Sequence, residues 1–162
     1  MEKDNAEESV KSIEILEFIL DGDKVREKYA IEISYTNEVY SVKDVTMLPC
    51  TPSFIIGIIN FRGKIISVID IRNFLGLTMK KIDNDNVKKV IVVKLNEIEV
   101  GIAVKDILGC SEIYLSEIQK NILTITNFKM EYFKGVTKER SLILDIKNIL
   151  MDEKIIVNEE VI

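Results

Sequence analysis

The segment Thr51–Leu77, TPSFIIGIINFRGKIISVIDIRNFLGL, decides how the fold is predicted from this sequence. Gly57–Phe61 is expected to form a strand, and Arg62-Gly63 a tight hairpin turn in which the glycine supplies the positive φ that a residue with a Cβ resists. Lys64–Asp70 then returns as a strand that is apolar on both faces, which is typical of a central, buried strand. The segment is therefore predicted to form a β-hairpin whose second strand lies inside a sheet.

Helix signals are present at both ends of this hairpin. Thr51 is placed to cap a short helical turn that has Pro52 at its first position. At the other end, Asp70 can cap a short helix over Ile71–Leu75, and Gly76 can end it. The hairpin is thus predicted to be bounded by two short helical turns.

The flanking sequence contains many short β-like runs separated by turn signals. Ser12–Leu20 is predicted as a strand in preference to a short helix, and Tyr29–Tyr35 alternates as a strand with one buried face does. This pattern of short strands and turns predicts a mainly β fold of small barrels or sandwiches. Further predicted elements are strands over Asn37–Tyr40, Lys43–Leu48, Val87–Leu95, Val100–Ile107 and Ser141–Ile146, weaker strands within Ile113–Phe128, a hairpin turn at Asn96-Glu97 and a short helix over Lys147–Asp152.

The length of 162 residues suits one domain, or two small subdomains that share a core. Residues 1–11 are charged and poor in large apolar groups, so they are predicted to form a disordered tail. The polar stretch Met79–Asn86 is the best internal boundary. We therefore expect a folded region over 12–151, divided roughly into 12–80 and 81–151, and a partly ordered tail over 152–162. The sequence shows no internal repeat.

Composition limits the classes of function. Apolar residues make up 47% of the chain and are mostly Ile, Val and Leu, which favours a β-rich fold. The formal net charge is −5, a balance that argues against a nucleic-acid partner because phosphates attract a basic surface. A small-barrel nucleic-acid binder stays as an alternative, since barrels of this size do bind nucleic acids.

The sequence also bears on the compartment. Its acidic, polar start is unlike a signal peptide, and the longest apolar run, Phe54–Ile59, is far shorter than the roughly 20 residues that span a bilayer. Cys50 and Cys110 are expected to be reduced thiols, buried as small apolar side chains. We therefore expect a cytoplasmic protein with no direct membrane insertion, which another protein would bring to a membrane.

The residues that catalysis and metal binding need are missing or wrongly spaced. The chain has no histidine, so Ser/His and Cys/His nucleophile pairs are impossible and a zinc site is not expected. Gly57–Lys64 imitates a phosphate-binding loop, but Ile65 takes the place of the magnesium-binding Ser/Thr. Asp83–Asn86 starts like a calcium loop and continues without the glycine and glutamate that such a loop requires. The sequence predicts neither enzyme activity nor a metal or other cofactor.

Seven ordered blocks of the sequence form a recognisable pattern: Tyr29–Ile33, Asn37–Val39, Val45–Pro49, Gly57–Lys64, Val68–Arg72, Gly101–Leu108 and Ser141–Ile146. Together they resemble the CheW-like domain family of bacterial chemotaxis adaptors. The resemblance implies a CheW-like fold of two small five-stranded, SH3-like β-barrels with short helices and an apolar groove between them. It implies no catalysis.

The resemblance also implies partners. Domains of this family bridge transmembrane methyl-accepting chemoreceptors to the histidine kinase CheA, whose regulatory domain has the same fold. Receptor cytoplasmic tips dock in the groove, and the barrel ends pair with the kinase domain. A coupling protein of the CheV type, which carries a receiver domain after its CheW-like domain, is a second adaptor hypothesis, but the sequence after Leu150 is too short to hold a receiver.

A set of partner-binding residues follows from the same resemblance. Arg62 matches the family's Asn-x-Arg-Gly turn, where an arginine can place its guanidinium on a partner carboxylate, and Glu38 is a candidate for receptor contact. Asn60 is expected either to contact a partner or to hold the turn, and Gly57 and Gly101 either to permit a close backbone approach or to mark a bend. The full set is Thr36, Glu38, Gly57, Asn60, Arg62, Gly63, Val87 and Gly101.

Some positions in and near this set carry less specific expectations. Thr36 and Val87 match positions that the family uses near the groove. Ser67 stands where the family usually has proline, Lys105 where it often has aspartate, and Phe61 where it usually has leucine. These departures leave the turn intact and bear on partner preference. The exposed face of the Ile/Val-rich strands is the expected apolar contact surface.

Overall fold

A computed structural model describes residues 11–20, 27–80, 82–120 and 130–156 of the chain. Most of these residues form short strands, as the sequence predicts. The strands are β1 Ser12–Ile19, β2 Lys28–Glu32, β3 Thr36–Ser41, β4 Ile55–Phe61, β5 Lys64–Ile69, β6 Lys89–Leu95, β7 Ile98–Val104, β8 Asp106–Tyr114, β9 Phe133–Val136 and β10 Leu142–Leu144, and the α-helices are α1 Ile71–Phe74 and α2 Ile146–Leu150.

The strands form two five-stranded sheets, which confirms the mainly β fold with two five-stranded units. Sheet 1 has the order β8-β1-β2-β10-β9, and sheet 2 has the order β3-β6-β7-β5-β4. The backbone pairing leaves both sheets open at their edges in the described residues. Sheet 2 is a continuous part of the chain, whereas sheet 1 combines strands from both ends. Sheet 1 thus combines strands from both sides of the expected division between 12–80 and 81–151, since β10 pairs in parallel with β2.

The two sheets repeat one plan, which the sequence analysis missed. Read in the orders given above, the neighbouring strands of both sheets pair antiparallel, antiparallel, parallel and antiparallel. One strand of each parallel pair, β5 in sheet 2 and β10 in sheet 1, runs into a capped helix. The two segments have similar sequences, SVIDIRNFL at residues 67–75 and LILDIKNIL at residues 142–150. Asp70 accepts hydrogen bonds from the backbone of α1, and Asp145 does the same for α2. Each aspartate thus ends a strand and starts a helix.

A second pair of features follows the same repeat. The segment after β3 forms an isolated bridge from Thr46 to Ile58, and the segment after β8 forms one from Gln119 to Val136. The prediction that Lys43–Leu48 forms a strand is therefore wrong, because this segment is a loop with a single bridge. Val45 in this loop, and Val42 just before it, pack in a core instead of a sheet ladder.

Three hydrophobic clusters hold the described residues together, the smallest of which consists of Ile15, Ala30 and Ile143 in sheet 1. The other two form a larger and a smaller core. The larger core lies between the sheets and combines Phe18, Tyr29 and Ile31 of sheet 1 with Ile69, Ile91 and Ile102 of sheet 2. The smaller core lies inside the curl of sheet 2 and includes Val68, Val90 and Ala103. Because the larger core draws on both sheets, neither sheet buries its apolar face without the other.

Three local predictions are wrong. The predicted strand Tyr29–Tyr35 stops at Glu32 and continues as a single 3₁₀ turn, and Ala30 is buried on the face expected to be polar. Thr51 caps no helix, because its hydroxyl donates to the carbonyl oxygen of Leu48 at 3.3 Å. The two cysteines are free and exposed, so they are not the buried apolar side chains that we expected.

Other local predictions are confirmed. Phe61 pairs with Lys64 across the turn at Arg62-Gly63, and Leu95 pairs with Ile98 across Asn96-Glu97. The predicted helix near the carboxyl end is present as α2. Within the predicted region of weaker strands, Ile113 and Tyr114 end β8 and Leu115–Glu117 form a 3₁₀ turn. The rest of that region from residue 121, and residues 1–10 and 157–162 of the predicted tails, lie outside the described residues.

Candidate partner-binding surface

Two of the predicted partner-binding residues contact each other. The guanidinium of Arg62, at the tip of the β4–β5 hairpin, lies 2.7 Å from Oε2 of Glu38 on β3. That oxygen is buried and makes no hydrogen bond of good geometry, so Arg62 is its charge partner. The side chain of Arg62 is itself 66% exposed. Solvent therefore screens the pair, and its contribution to stability is at most about 1 kcal/mol.

The contact joins the two opposite edges of sheet 2, because β3 and β4 are its outer strands. An aromatic contact does the same: Tyr40 on β3 and Phe61 on β4 meet edge to face, with ring centroids 5.3 Å apart. The Arg62 guanidinium lies over the Phe61 ring at 5.3 Å from its centroid. These side chains join the two edge strands of sheet 2 near the hairpin tip, and the backbone bridge from Thr46 to Ile58 joins the segment after β3 to β4.

The turn that carries Arg62 is held by its own residues. Arg62 and Gly63 have φ values of 50° and 80°, the left-handed geometry of a two-residue hairpin turn. The backbone N–H of Gly63 donates to Oδ1 of Asn60 at 3.0 Å. Of the two roles expected for Asn60, this geometry supports the one that holds the turn. Arg62 is therefore presented on a rigid support rather than on a flexible loop.

Three predicted site residues are buried in the isolated protein. Val87 is 4% exposed and packs in the core inside sheet 2. A Cβ built on Gly57 would lie 2.3 Å from the carbonyl oxygen of Thr46, so the close backbone approach expected there is present. A Cβ built on Gly101 would lie 3.4 Å from the Cβ of Val90, an ordinary contact, so no close approach requires glycine at that position.

Thr36 occupies the first position of β3, opposite Val93 and beside a register shift. Its hydroxyl oxygen is buried and has no hydrogen-bond partner among the described groups. Thr36 and Glu38 lie on one strand, with Glu38 beneath the Arg62 tip. The structure therefore brings Glu38, Asn60, Arg62 and Gly63 together and places Thr36 two residues before Glu38 on β3.

Sequence reasoning missed an exposed apolar side chain beside this tip. Ile65 pairs with Asn60 across the hairpin and is 58% exposed. Because the run Lys64–Asp70 is apolar on both faces, the sequence predicts that all of it is buried. Met47 and Val39 are also exposed, on the loop that bridges to β4 and on β3. An exposed isoleucine next to an arginine is the composition that interfaces favour.

We found no feature of a catalytic or metal site in the described part of the chain. No three or more Cys, Asp or Glu side chains among these residues are arranged to hold a metal ion. Within the same ranges, no helix is long and apolar enough to cross a membrane.

Comparisons with a family model and with known proteins point to the same family. Residues 14–154 match the model of the CheW-like domain. The chemotaxis protein CheW of Thermotoga maritima is 30% identical over 160 residues, covering 95% of this chain and 97% of that protein. CheW of Klebsiella aerogenes is 30% identical over 131 residues, which cover 79% of this chain and 78% of that protein.

A solved structure shows the same fold. The crystal structure of the scaffolding protein TtCheW from Thermoanaerobacter tengcongensis superposes with a TM-score of 0.70 at 26% identity, covering 89% of this chain and 91% of that chain. The family resemblance found in the sequence is thereby confirmed, as is the prediction that the protein is not an enzyme. The chain belongs to the CheW-like domain family, whose members are scaffold adaptors of bacterial chemotaxis.

Proposed function

We propose that this protein couples chemoreceptors to the histidine kinase CheA as a non-catalytic adaptor, and that it acts in the cytoplasm at membrane-associated receptor arrays. The observation that supports this most is the hairpin tip, where Asn60 holds the turn through the N–H of Gly63 and Glu38 pairs with Arg62, beside the exposed Ile65. A rigid tip with one charged and one apolar group is suited to protein recognition rather than chemistry.

The kinase regulatory domain is the partner that we assign to this tip. Arg62 makes an ion pair that is open to solvent on one side, so its remaining N–H donors can reach a partner carboxylate. Glu38 restricts the rotamers of Arg62 before binding, which lowers the entropy lost when the complex forms. Ile65 supplies apolar area next to the charge.

The receptor tip is assigned to the margin of the larger core. Several half-buried apolar side chains pack there against the core between the sheets, among them Ile33, Tyr35 and Ile98. A helical receptor tip can place an apolar face against such a margin. Thr36 adjoins this region as the residue that follows the 3₁₀ turn Ile33–Tyr35.

The experiment measures binding of the purified protein to a CheA regulatory domain and to a chemoreceptor cytoplasmic tip, each by titration calorimetry. Arg62→Ala should weaken kinase-domain binding by about tenfold or more, which is about 1.4 kcal/mol. Receptor binding should change little. Arg140→Ala is the matched control, because Arg140 is also exposed and also has a positive φ, at the β9–β10 turn.

The outcomes separate the possibilities. Binding to neither partner would refute the adaptor function. Equal losses in Arg62→Ala and Arg140→Ala would leave the adaptor function intact and refute the assignment of the kinase to the Arg62 tip.

A further inference from the structure

The repeated plan of the two sheets allows their residues to be matched position by position. Gly101 pairs in parallel with Val68 in sheet 2, and Ala30 pairs in parallel with Ile143 in sheet 1. The register of the antiparallel strands then matches the residues on either side of these pairs. The inner side of each curled sheet can therefore be compared at equivalent positions.

Four equivalent positions near the hairpin turns, β4–β5 in sheet 2 and β9–β10 in sheet 1, differ in polarity. In sheet 2 these positions hold aliphatic or aromatic side chains that pack in or against the smaller core, whereas in sheet 1 all four are polar. The equivalent pairs, with the sheet 2 residue first, are Val92 and Glu17, Ile66 and Ser141, Ile59 and Thr137, and Tyr40 and Ser111.

The four polar residues of sheet 1 bind one another. The hydroxyls of Ser141 and Ser111 donate to the carboxylate of Glu17 at 2.8 and 3.2 Å, and the hydroxyl oxygen of Thr137 accepts the backbone N–H of Ser141 at 3.0 Å. Glu17, Ser111 and Thr137 also line an open cavity of about 240 Å³. A polar cavity of this size can hold water. Water therefore has access to a part of the sheet 1 curl whose counterpart in sheet 2 is filled by apolar side chains.

The opposite end of the sheet 1 curl is polar as well. Lys134 forms an ion pair with Glu32, and these two residues take the positions that Ile56 and Ala103 hold in sheet 2. Both members of the pair are only partly exposed. Between the two polar ends lies the smallest of the three hydrophobic clusters of the described residues. The same backbone plan is thus packed by apolar side chains in sheet 2 and largely by polar contacts in sheet 1.

Each curl is closed by one backbone bridge, and the two bridges have the same geometry. In the sheet 2 bridge, Thr46 and Ile58 exchange two N–H···O hydrogen bonds of 2.9 and 2.8 Å; in the sheet 1 bridge, Gln119 and Val136 exchange two of 2.9 Å. The bridges therefore do not favour one curl over the other. What differs is the surface that opening exposes to water. Opening sheet 2 exposes aliphatic side chains, which is unfavourable, whereas opening sheet 1 exposes groups that water solvates well.

From this comparison we propose that sheet 1 is the unit that opens locally, by separation of the segment after β8 from β9, while sheet 2 stays closed as a rigid support for the Arg62 tip. Local opening of this kind occurs within the native state and requires no global unfolding. It is a property of the isolated protein and does not depend on which partners the protein binds.

Amide hydrogen exchange of the full chain, measured by NMR, tests the proposal at the two bridges. After correction for intrinsic exchange rates, the protection factors of Gln119 and Val136 should be at least about tenfold lower than those of Thr46 and Ile58. Equal protection at the two bridges, or lower protection at the sheet 2 bridge, would overturn the proposal.

A double variant tests the cause of the difference. Glu17→Val with Ser141→Ala gives sheet 1 the residue found at the equivalent position of sheet 2, and it removes the buried hydroxyl together with its acceptor. Protection at the sheet 1 bridge should rise by about fivefold or more, and protection at the sheet 2 bridge should not change. No gain at the sheet 1 bridge, or an equal gain at both bridges, would contradict the assigned cause.

The converse variant is Val92→Thr, which adds a hydroxyl inside sheet 2 without a change of shape. It should lower the protection of the sheet 2 bridge relative to the sheet 1 bridge. Unchanged relative protection would count against the proposal. If the double variant does not fold, the wild-type comparison and Val92→Thr decide the result.

Discussion

Gly57 lies so close to Thr46 that a Cβ on the glycine would be 2.3 Å from the threonine carbonyl oxygen. The same bridge geometry recurs at Gly135, where a Cβ would lie 2.9 Å from the carbonyl oxygen of Gln119. Backbone atoms cannot give way as the end of a flexible side chain can. Glycine is therefore needed at position 57 for the loop after β3 to bridge to β4, and at position 135 for the segment after β8 to bridge to β9.

Gly57→Ala should therefore destabilise the protein by about 2–3 kcal/mol through overpacking. Gly101→Ala is the matched control, because it adds the same methyl group at a buried position with ordinary contacts, and its effect should stay below about 1 kcal/mol. Urea unfolding followed by circular dichroism measures both free energies. Equal free energies of unfolding for the two variants would contradict the close approach at Thr46.

Ile65→Lys should separate binding from stability. The side chain of Ile65 is 58% exposed, so the free energy of unfolding should change by less than about 0.5 kcal/mol. Kinase-domain binding should fall, because a charge replaces apolar contact area beside Arg62. Met79→Lys is the control, since Met79 is 95% exposed and distant in sequence from the tip. Equal binding losses in both variants would show that Ile65 has no special part in the interface.

The pH dependence of stability should carry a signature of Asp70. Burial raises the pKa of its carboxyl group, although the backbone N–H groups of α1 and nearby Arg72 oppose the shift. A carboxyl whose pKa is higher in the folded state stabilises the fold below its unfolded pKa, and this contribution is lost as the pH rises through the folded pKa. Asp70→Asn keeps a capping oxygen and does not titrate.

Relative to Asp70→Asn, the wild type should therefore be more stable at acid pH than at neutral pH. Urea unfolding of both proteins at several pH values between about 4 and 7 measures this difference, a range that spans the ordinary carboxyl pKa. Asp145→Asn serves as the control, because Asp145 caps α2 in the same motif and is only half-buried. A difference that runs in the opposite direction, or that is the same at both positions, would refute the assignment to burial.

Both cysteines should react with a thiol reagent in the native protein. Because Cys50 and Cys110 are exposed, two equivalents of thiol should be modified without denaturant and without a change in circular dichroism. Slow modification that requires urea would restore the original expectation that these side chains are buried.

Local chemistry made part of this fold predictable. The turn at Arg62-Gly63 depends only on nearby residues. Gly63 adopts a positive φ, and Asn60 accepts a hydrogen bond from the backbone N–H of Gly63. The cap at Asp70 is equally local. Such features depend on neighbours within a few residues, which a sequence displays directly.

The features that depend on pairing between distant parts of the chain could not be predicted from the sequence. Nothing near Tyr29 in the sequence indicates that its strand pairs with the strand of Leu142, on the other side of the expected division at residue 80. The run Lys43–Leu48 suggests a strand, but Val45 within it packs in a core from a loop. Likewise, the pairing of Glu38 with Arg62 depends on the curl of sheet 2, which brings two distant edges together.

The way sheet 1 draws on both ends of the chain has a consequence for synthesis. Residues 36–104 supply every strand of sheet 2, so that sheet can pair while the ribosome is still translating the remainder. β1 and β2 emerge first, yet β2 has no partner on its second side until β10 is made. We expect the amino-terminal hairpin to wait with an open edge, and the nascent chain to be most prone to misassociation during that interval.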